Sequence, residues 1–144
     1  MRQGIRDGIA RVSSAFEVSA DLLNRWTTWL ADDRYWPHAS TLTHGEIYPA
    51  HLLLTGETIV GVLDWTTAAV GDPARDFVFH RESVSRRAFD ATVRRYVECG
   101  GRVWPMFAEH CTELFSTSPV DYGLYALTTG DPAHLDAAAA ALNP

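Results

Sequence analysis

Glu46, His51 and Asp64 fall within nineteen residues of one another, separated by two short runs rich in Leu, Ile and Val. An aspartate offers a hard oxygen to a divalent cation such as Mg2+, and an imidazole offers a nitrogen. A glutamate one loop away can orient or deprotonate an attacking hydroxyl. Together these groups suit metal-assisted group transfer. A plainer reading stands beside it: His44-Gly45-Glu46 as an ordinary polar turn, and Asp64 as the cap of whatever follows it.

The elements that would bring these residues together can be read from their surroundings. Leu52–Leu54 and Ile59–Leu63 are short apolar runs bounded by Gly, Pro and Thr, the pattern of strands rather than helices. Thr55-Gly56-Glu57-Thr58 between them predicts a hairpin, with Gly56 free to take positive φ. Antiparallel pairing sets the start of the first strand beside the end of the second, so His51 and Asp64 become neighbours. Glu46 lies in the loop that feeds the hairpin.

The string His44-Gly45-Glu46-Ile47-Tyr48-Pro49-Ala50-His51, then Val62-Leu63-Asp64-Trp65 and Gly71-Asp72-Pro73-Ala74-Arg75-Asp76, resembles the aminoglycoside phosphotransferase family. That family has a protein-kinase-like fold, a catalytic loop usually written H-G-D-x-x-x-x-N, and a later I-D-F/W metal motif. His51 at the Asn position resembles the macrolide 2′-phosphotransferase branch, as does Arg25-Trp26-Thr27-Thr28-Trp29-Leu30-Ala31-Asp32-Asp33. The resemblance spans roughly residues 18–130. The family's catalytic position is most often Asp; here it is Glu46, one methylene longer. The resemblance implies Glu46 as catalytic base and His51 and Asp64 as holders of Mg2+. It makes His44, Asp72 and Asp76 supports of the loop, with Asp76 bracing its backbone. GTP or ATP would be the phosphoryl donor.

Composition bounds these expectations. The chain has 144 residues, 47% hydrophobic and 21% charged, enough for a real core. A net charge of −6 argues against nucleic-acid binding, which normally leaves a basic footprint. All twelve basic residues are Arg, and there is no Lys. Kinase-like enzymes hold nucleotide phosphates with a strand Lys beneath a Gly-rich loop of a small N-terminal lobe. These 144 residues hold neither, so the chain is expected to be the C-terminal lobe of a longer protein, inactive alone. Cys99 and Cys111 make no zinc set and demand no disulfide. With no apolar run near eighteen residues and no signal peptide, the expected location is cytoplasmic, away from membranes.

Residues 1–40 read as leading helices, 41–65 as catalytic loop and metal hairpin, and 66–144 as a helical, substrate-binding part. Ser19 is placed to N-cap a helix bearing Leu22, Leu23, Trp26, Trp29 and Leu30 at helical spacing. Thr66 to Gly71 reads as a small-residue loop. Asp72-Pro73 predicts a cap and a Pro-started helix running to about Arg86. Helices at about 88–99, 105–116, 119–129 and 132–142 follow. The predicted fold is α+β, mainly helical, the large lobe of a kinase-like phosphotransferase with a small hairpin carrying the site.

The expected reaction moves the γ-phosphoryl of GTP or ATP to the desosamine 2′-hydroxyl of a macrolide antibiotic. Tyr48, Phe77, His80, Phe107, Tyr122 and Tyr125 are the candidate substrate wall, though core packing is the default for such aromatics and His80 reads first as a packed or surface histidine. The acidic surface suits the cationic sugar. Two alternatives stay open: a kinase of the same fold for an aminoglycoside or amino alcohol, and a kinase-like lobe that binds without turnover. An apolar face near Leu42–Leu63 and Trp65 is expected to be exposed and to promote self-association.

Overall fold

Seven α-helices and two short β pairs build the chain, an α+β arrangement dominated by helix. The computed structural model describes residues 1–144. The helices are α1 (Arg2–Ser13), α2 (Ala20–Ala31), α3 (Val78–Ser83), α4 (Arg86–Glu98), α5 (Phe107–Ser116), α6 (Ser118–Thr129) and α7 (Pro132–Leu142). The strands are β1 (Thr41–Thr43), β2 (Leu52–Thr55), β3 (Thr58–Val62) and β4 (Ala69–Gly71). Compactness divides the chain into a unit of residues 1–33 and 116–144 and a unit of residues 34–115.

In the first unit, α1, α2, α6 and α7 bury Val12, Trp26, Val120 and Leu142. Ser19 caps α2 as expected, its Oγ accepting from the Leu22 N–H. Arg2 and Arg6 donate to the Leu30 carbonyl at the other end of α2, satisfying an acceptor that the helix cannot. A Cβ at Gly123 would lie 3.0 Å from Val12 Cγ1, so α1 and α6 approach closely there and a larger residue would press on the buried Val12 side chain.

The second unit carries the hairpin. Leu52 pairs with Val62 and Thr55 with Thr58, with an irregularity at Leu53/Leu54, and Gly56 turns the chain at φ +60°. The structure adds a second ladder that the sequence did not reveal: Thr41 pairs with Gly71 and Thr43 with Ala69, so β1 and β4 close the loop containing the hairpin. The expected Thr66–Gly71 loop is thus a 3-10 turn, Trp65–Thr67, followed by β4.

The helix expected from Asp72 to about Arg86 is also corrected. Asp72 caps a 3-10 turn, Pro73–Phe77, which passes into α3 and stops at Ser83. Ser85 then caps α4, its Oγ accepting from the Ala88 N–H. A second N-cap serine in the run broke the helix there. The unit's core is Ala74, Phe77, Phe89, Phe107 and Cys111. Burial and nearby Asp72 push the Cys111 thiol up to about 12. Cys99 is exposed, and both cysteines are free.

The expected apolar face is on the surface. Leu42, Leu54, Ile59, Val60, Trp65 and Val70 are each more than half exposed. No helix is long and apolar enough to cross a membrane.

Candidate active site

Asp76 is the keystone of the loop ahead of the hairpin. Its Oδ2 accepts from the His44 N–H at 3.1 Å and its Oδ1 from the Gly45 N–H at 2.6 Å. Charge-assisted bonds of this kind fix backbone firmly. Gly45 sits at φ +91°, and a Cβ there would lie 2.8 Å from the Thr67 carbonyl oxygen. The sharp turn therefore needs glycine on both steric and conformational grounds. Thr67 Oγ1 donates to the His44 carbonyl at 2.8 Å, closing the turn from the other side.

His44 is buried, and its partners set its tautomer. Nδ1 faces the Glu46 N–H at 3.3 Å, which can only donate. Nε2 therefore carries the proton and gives it to the Leu63 carbonyl at 2.7 Å. One imidazole thus ties the Glu46 loop to the residue preceding Asp64, and Trp65 covers it edge-on at 4.8 Å between centroids.

His51 is held the opposite way round. Its Nδ1 donates to the Glu46 carbonyl at 2.8 Å, which leaves the Nε2 lone pair open. Nε2 lies 3.8 Å from Asp64 Oδ2. Asp64 is the chain's only non-glycine residue at positive φ, +58°. Such strain clusters where a side chain must be aimed. Asp64 Oδ1 accepts from Thr66 Oγ1 at 2.5 Å and from the Thr66 N–H at 3.4 Å, leaving Oδ2 toward His51. First the Thr66 hydroxyl, then the Thr66 backbone N–H, hold the Asp64 carboxyl below the usual carboxylate range. It is an anion at neutral pH.

The convergence expected at one end of the hairpin is therefore direct for His51 and Asp64. Glu46 joins them through its backbone, and its carboxylate takes no part in these contacts. No third His, Cys, Asp or Glu completes a metal-binding group. Mg2+ does not require one, since it keeps waters and substrate phosphates around one or two protein ligands. An open carboxylate oxygen beside an open imidazole nitrogen fits that habit.

Residues 5–110 match the phosphotransferase enzyme family. The chain belongs to that family. It is 57% identical to macrolide 2′-phosphotransferase MphH from Brachybacterium faecium, with a TM-score of 0.94 over 99% of this chain and 49% of that one. It is 38% identical to macrolide 2′-phosphotransferase type I, with a TM-score of 0.92 over 99% of this chain and 48% of that one. It is also 37% identical to the uncharacterized protein YcbJ of Bacillus subtilis (strain 168), over 98% of this chain and 46% of that protein. The chain thus spans about half the length of the relatives it matches. A GDP complex of aminoglycoside 2′-phosphotransferase-IIIa, 20% identical with a TM-score of 0.76 over 97% of this chain and 49% of that one, shares the fold alone. These likenesses place the kinase-like fold.

The aromatic candidates fall in four settings. Tyr48 packs edge-on against His51 at 4.3 Å and lies 5.6 Å from Phe79, beside the His51–Asp64 pair. Phe77 and Phe107 are buried in the core, 5.1 Å apart, where packing rather than a ligand wall accounts for them. His80 bonds Thr92 Oγ1 through Nε2 at 2.8 Å. Tyr122 and Tyr125 belong to the first unit, where the Tyr122 hydroxyl meets His134 Nδ1 at 2.9 Å and Tyr125 is half-exposed.

Asp72 caps its turn as expected, Oδ1 accepting from the Ala74 N–H at 2.8 Å. Its other oxygen accepts from His110 Nε2 at 2.7 Å, with both side chains buried. His110 was not singled out in the sequence. The signal was there: it lies three residues after Phe107 and four before Leu114, on the apolar face of α5.

Proposed function

We propose that the chain is the C-terminal lobe of a macrolide 2′-phosphotransferase, an antibiotic-resistance enzyme that moves the γ-phosphoryl of GTP or ATP to the desosamine 2′-hydroxyl. What carries this reading is the 57% identity to MphH across nearly the whole chain. Glu46 then receives or orients the hydroxyl proton, from a loop whose backbone Asp76 holds still. Asp64 Oδ2 and His51 Nε2 would hold Mg2+. When bound, that ion supplies positive charge against the β- and γ-phosphates. The lowered Asp64 pKa keeps its carboxylate charged for that purpose. Tyr48, beside His51, is placed to shape the approach of the sugar.

The test uses the protein joined to its nucleotide-binding half, with GTP, Mg2+ and erythromycin. Glu46→Asp should keep turnover within about tenfold, while Glu46→Gln should lose most of it, because only the former retains a base. Near-full turnover by Glu46→Gln with an unchanged fold removes Glu46 from the role. Formation of 2′-phosphorylated erythromycin is the readout; no product from the wild-type protein rejects the substrate class.

A further inference from the structure

The buried Asp72–His110 pair lies outside the proposed reaction, yet it is connected to it by short links. Asp72 uses both oxygens: Oδ1 accepts from the Ala74 N–H and Oδ2 accepts from His110 Nε2. The Asp72 carbonyl accepts from the Arg75 N–H at 3.2 Å, so the residue defines the start of the Pro73–Phe77 turn. The next residue in that turn is Asp76, whose carboxylate holds the His44 and Gly45 amides. Along α5, Cys111 follows His110, and its Sγ lies 3.8 Å from the Ala74 carbonyl. Consecutive residues of α5 thus contact the turn, one through a charge-assisted bond and one through a weak thiol contact.

Packing alone could seat this turn, since Ala74 and Phe77 share a core with Phe107 and Cys111. Apolar contacts are not directional, however, and do not fix a carboxylate two bonds from the backbone. A buried charge with two committed oxygens does fix it. His110 is held in turn by Trp36, edge-on at 4.8 Å, and Trp104 at 5.6 Å, and the Trp104 indole N–H donates to the Tyr35 carbonyl at 2.9 Å.

We propose that His110 is a positioning residue for the candidate active site: by holding Asp72 it sets the turn from which Asp76 braces the His44–Gly45 backbone ahead of Glu46. The catalytic meaning of this bracing rests on the proposed phosphotransferase reading; the bracing itself does not. It acts through Asp72 and Asp76 and touches no reactant.

Amide hydrogen exchange on the chain tests it without turnover. His110→Phe keeps a ring but removes the donor. It should speed exchange at His44 and Gly45 about tenfold more than at Phe89, whose N–H is bonded to the Ser85 carbonyl in the same unit. Asp72→Asn, with one oxygen for two donors, should do the same and serves if His110→Phe does not fold. His110→Gln, which retains a donor, should restore most of the protection. Asp76→Ala removes both acceptors of the brace, so adding His110→Phe to it should change His44 and Gly45 exchange by less than about twofold further. Equal acceleration at Phe89, no acceleration at His44 and Gly45, or additive factors in the double variant would each overturn the proposal. Protection that follows the expected pattern in a protein that phosphorylates no macrolide would reject the functional reading while supporting the bracing.

Discussion

His51 and Asp64 stand 3.8 Å apart with Asp64 half-exposed, whereas His110 and Asp72 touch at 2.7 Å with both side chains buried. The two pairs share residue types and one unit of the chain. They differ in what remains unsatisfied. In the buried pair, both Asp72 oxygens have donors, and the carboxylate is closed off from solvent. In the open pair, Thr66 satisfies Asp64 Oδ1 and the Glu46 carbonyl fixes His51 Nδ1, so one oxygen and one nitrogen face each other at 3.8 Å. The closed pair specifies structure, and the open pair, with its far sides fixed, is the one proposed to hold a cation.

The largest expected difference is in stability. His110→Ala leaves Asp72 Oδ2 buried without its donor, and stranding a buried acceptor costs about 1–3 kcal/mol, more for a carboxylate. The urea midpoint should fall accordingly. Asp64→Asn, at a side chain 46% exposed and with an amide that still tolerates positive φ and accepts from Thr66, should leave the midpoint close to wild type. Equal losses in the two variants would break the comparison.

Function should respond the other way round. Asp64→Asn keeps size and hydrogen bonding but removes the charge, and phosphotransfer should fall by at least about a hundredfold in kcat, since metal-borne charge is worth several kcal/mol. Mn2+ binding to the isolated chain, read by water-proton relaxation, should weaken in parallel. His110→Gln should leave Mn2+ binding near wild type. Unaltered Mn2+ affinity in Asp64→Asn would show that the open pair is not the cation's seat.

The same contrast explains what could be read without coordinates. The hairpin was legible because its strands are adjacent and its turn carries Gly56, so the placement of His51 beside Asp64 followed from local pairing alone. The caps that Ser19 places on α2 and Asp72 on the Pro73–Phe77 turn were equally local. The β1–β4 ladder was not, because Thr41–Thr43 and Ala69–Gly71 are three residues each, too short to carry a period and far apart in the chain. His110 reaches Asp72 across thirty-eight residues, and no local pattern announces such a bond. Thr66 and Thr67 were passed over as small loop residues, although one tunes Asp64 and the other holds the His44 carbonyl. The sequence thus revealed which groups could do chemistry, but not which backbone and hydroxyl groups aim them.

The smallest expected effect sharpens the comparison most, because it concerns how the open pair is kept charged. Thr66→Val removes the hydroxyl that contributes most to lowering the Asp64 pKa, while the backbone N–H at 3.4 Å remains. The Asp64 pKa should rise toward, without fully reaching, the ordinary value of about 3.9. A carboxyl with a depressed folded-state pKa contributes stability that is fully present above its unfolded value and is lost as pH falls through the folded one. The advantage of wild type over Thr66→Val should therefore be constant at neutral pH and disappear only in acid, below about pH 4. Because Asp64 is solvent-exposed, the change in melting temperature should be slight, and the site-resolved signal is the better measure. A carbon-detected NMR titration of the Asp64 carboxyl should show a higher midpoint in Thr66→Val than in wild type. Mn2+ binding should correspondingly fail at a higher pH in the variant, where protons compete sooner. A midpoint unchanged or lowered by the substitution would mean that the Thr66 hydroxyl does not hold the carboxylate in its charged form, and the open pair would owe its charge to exposure alone.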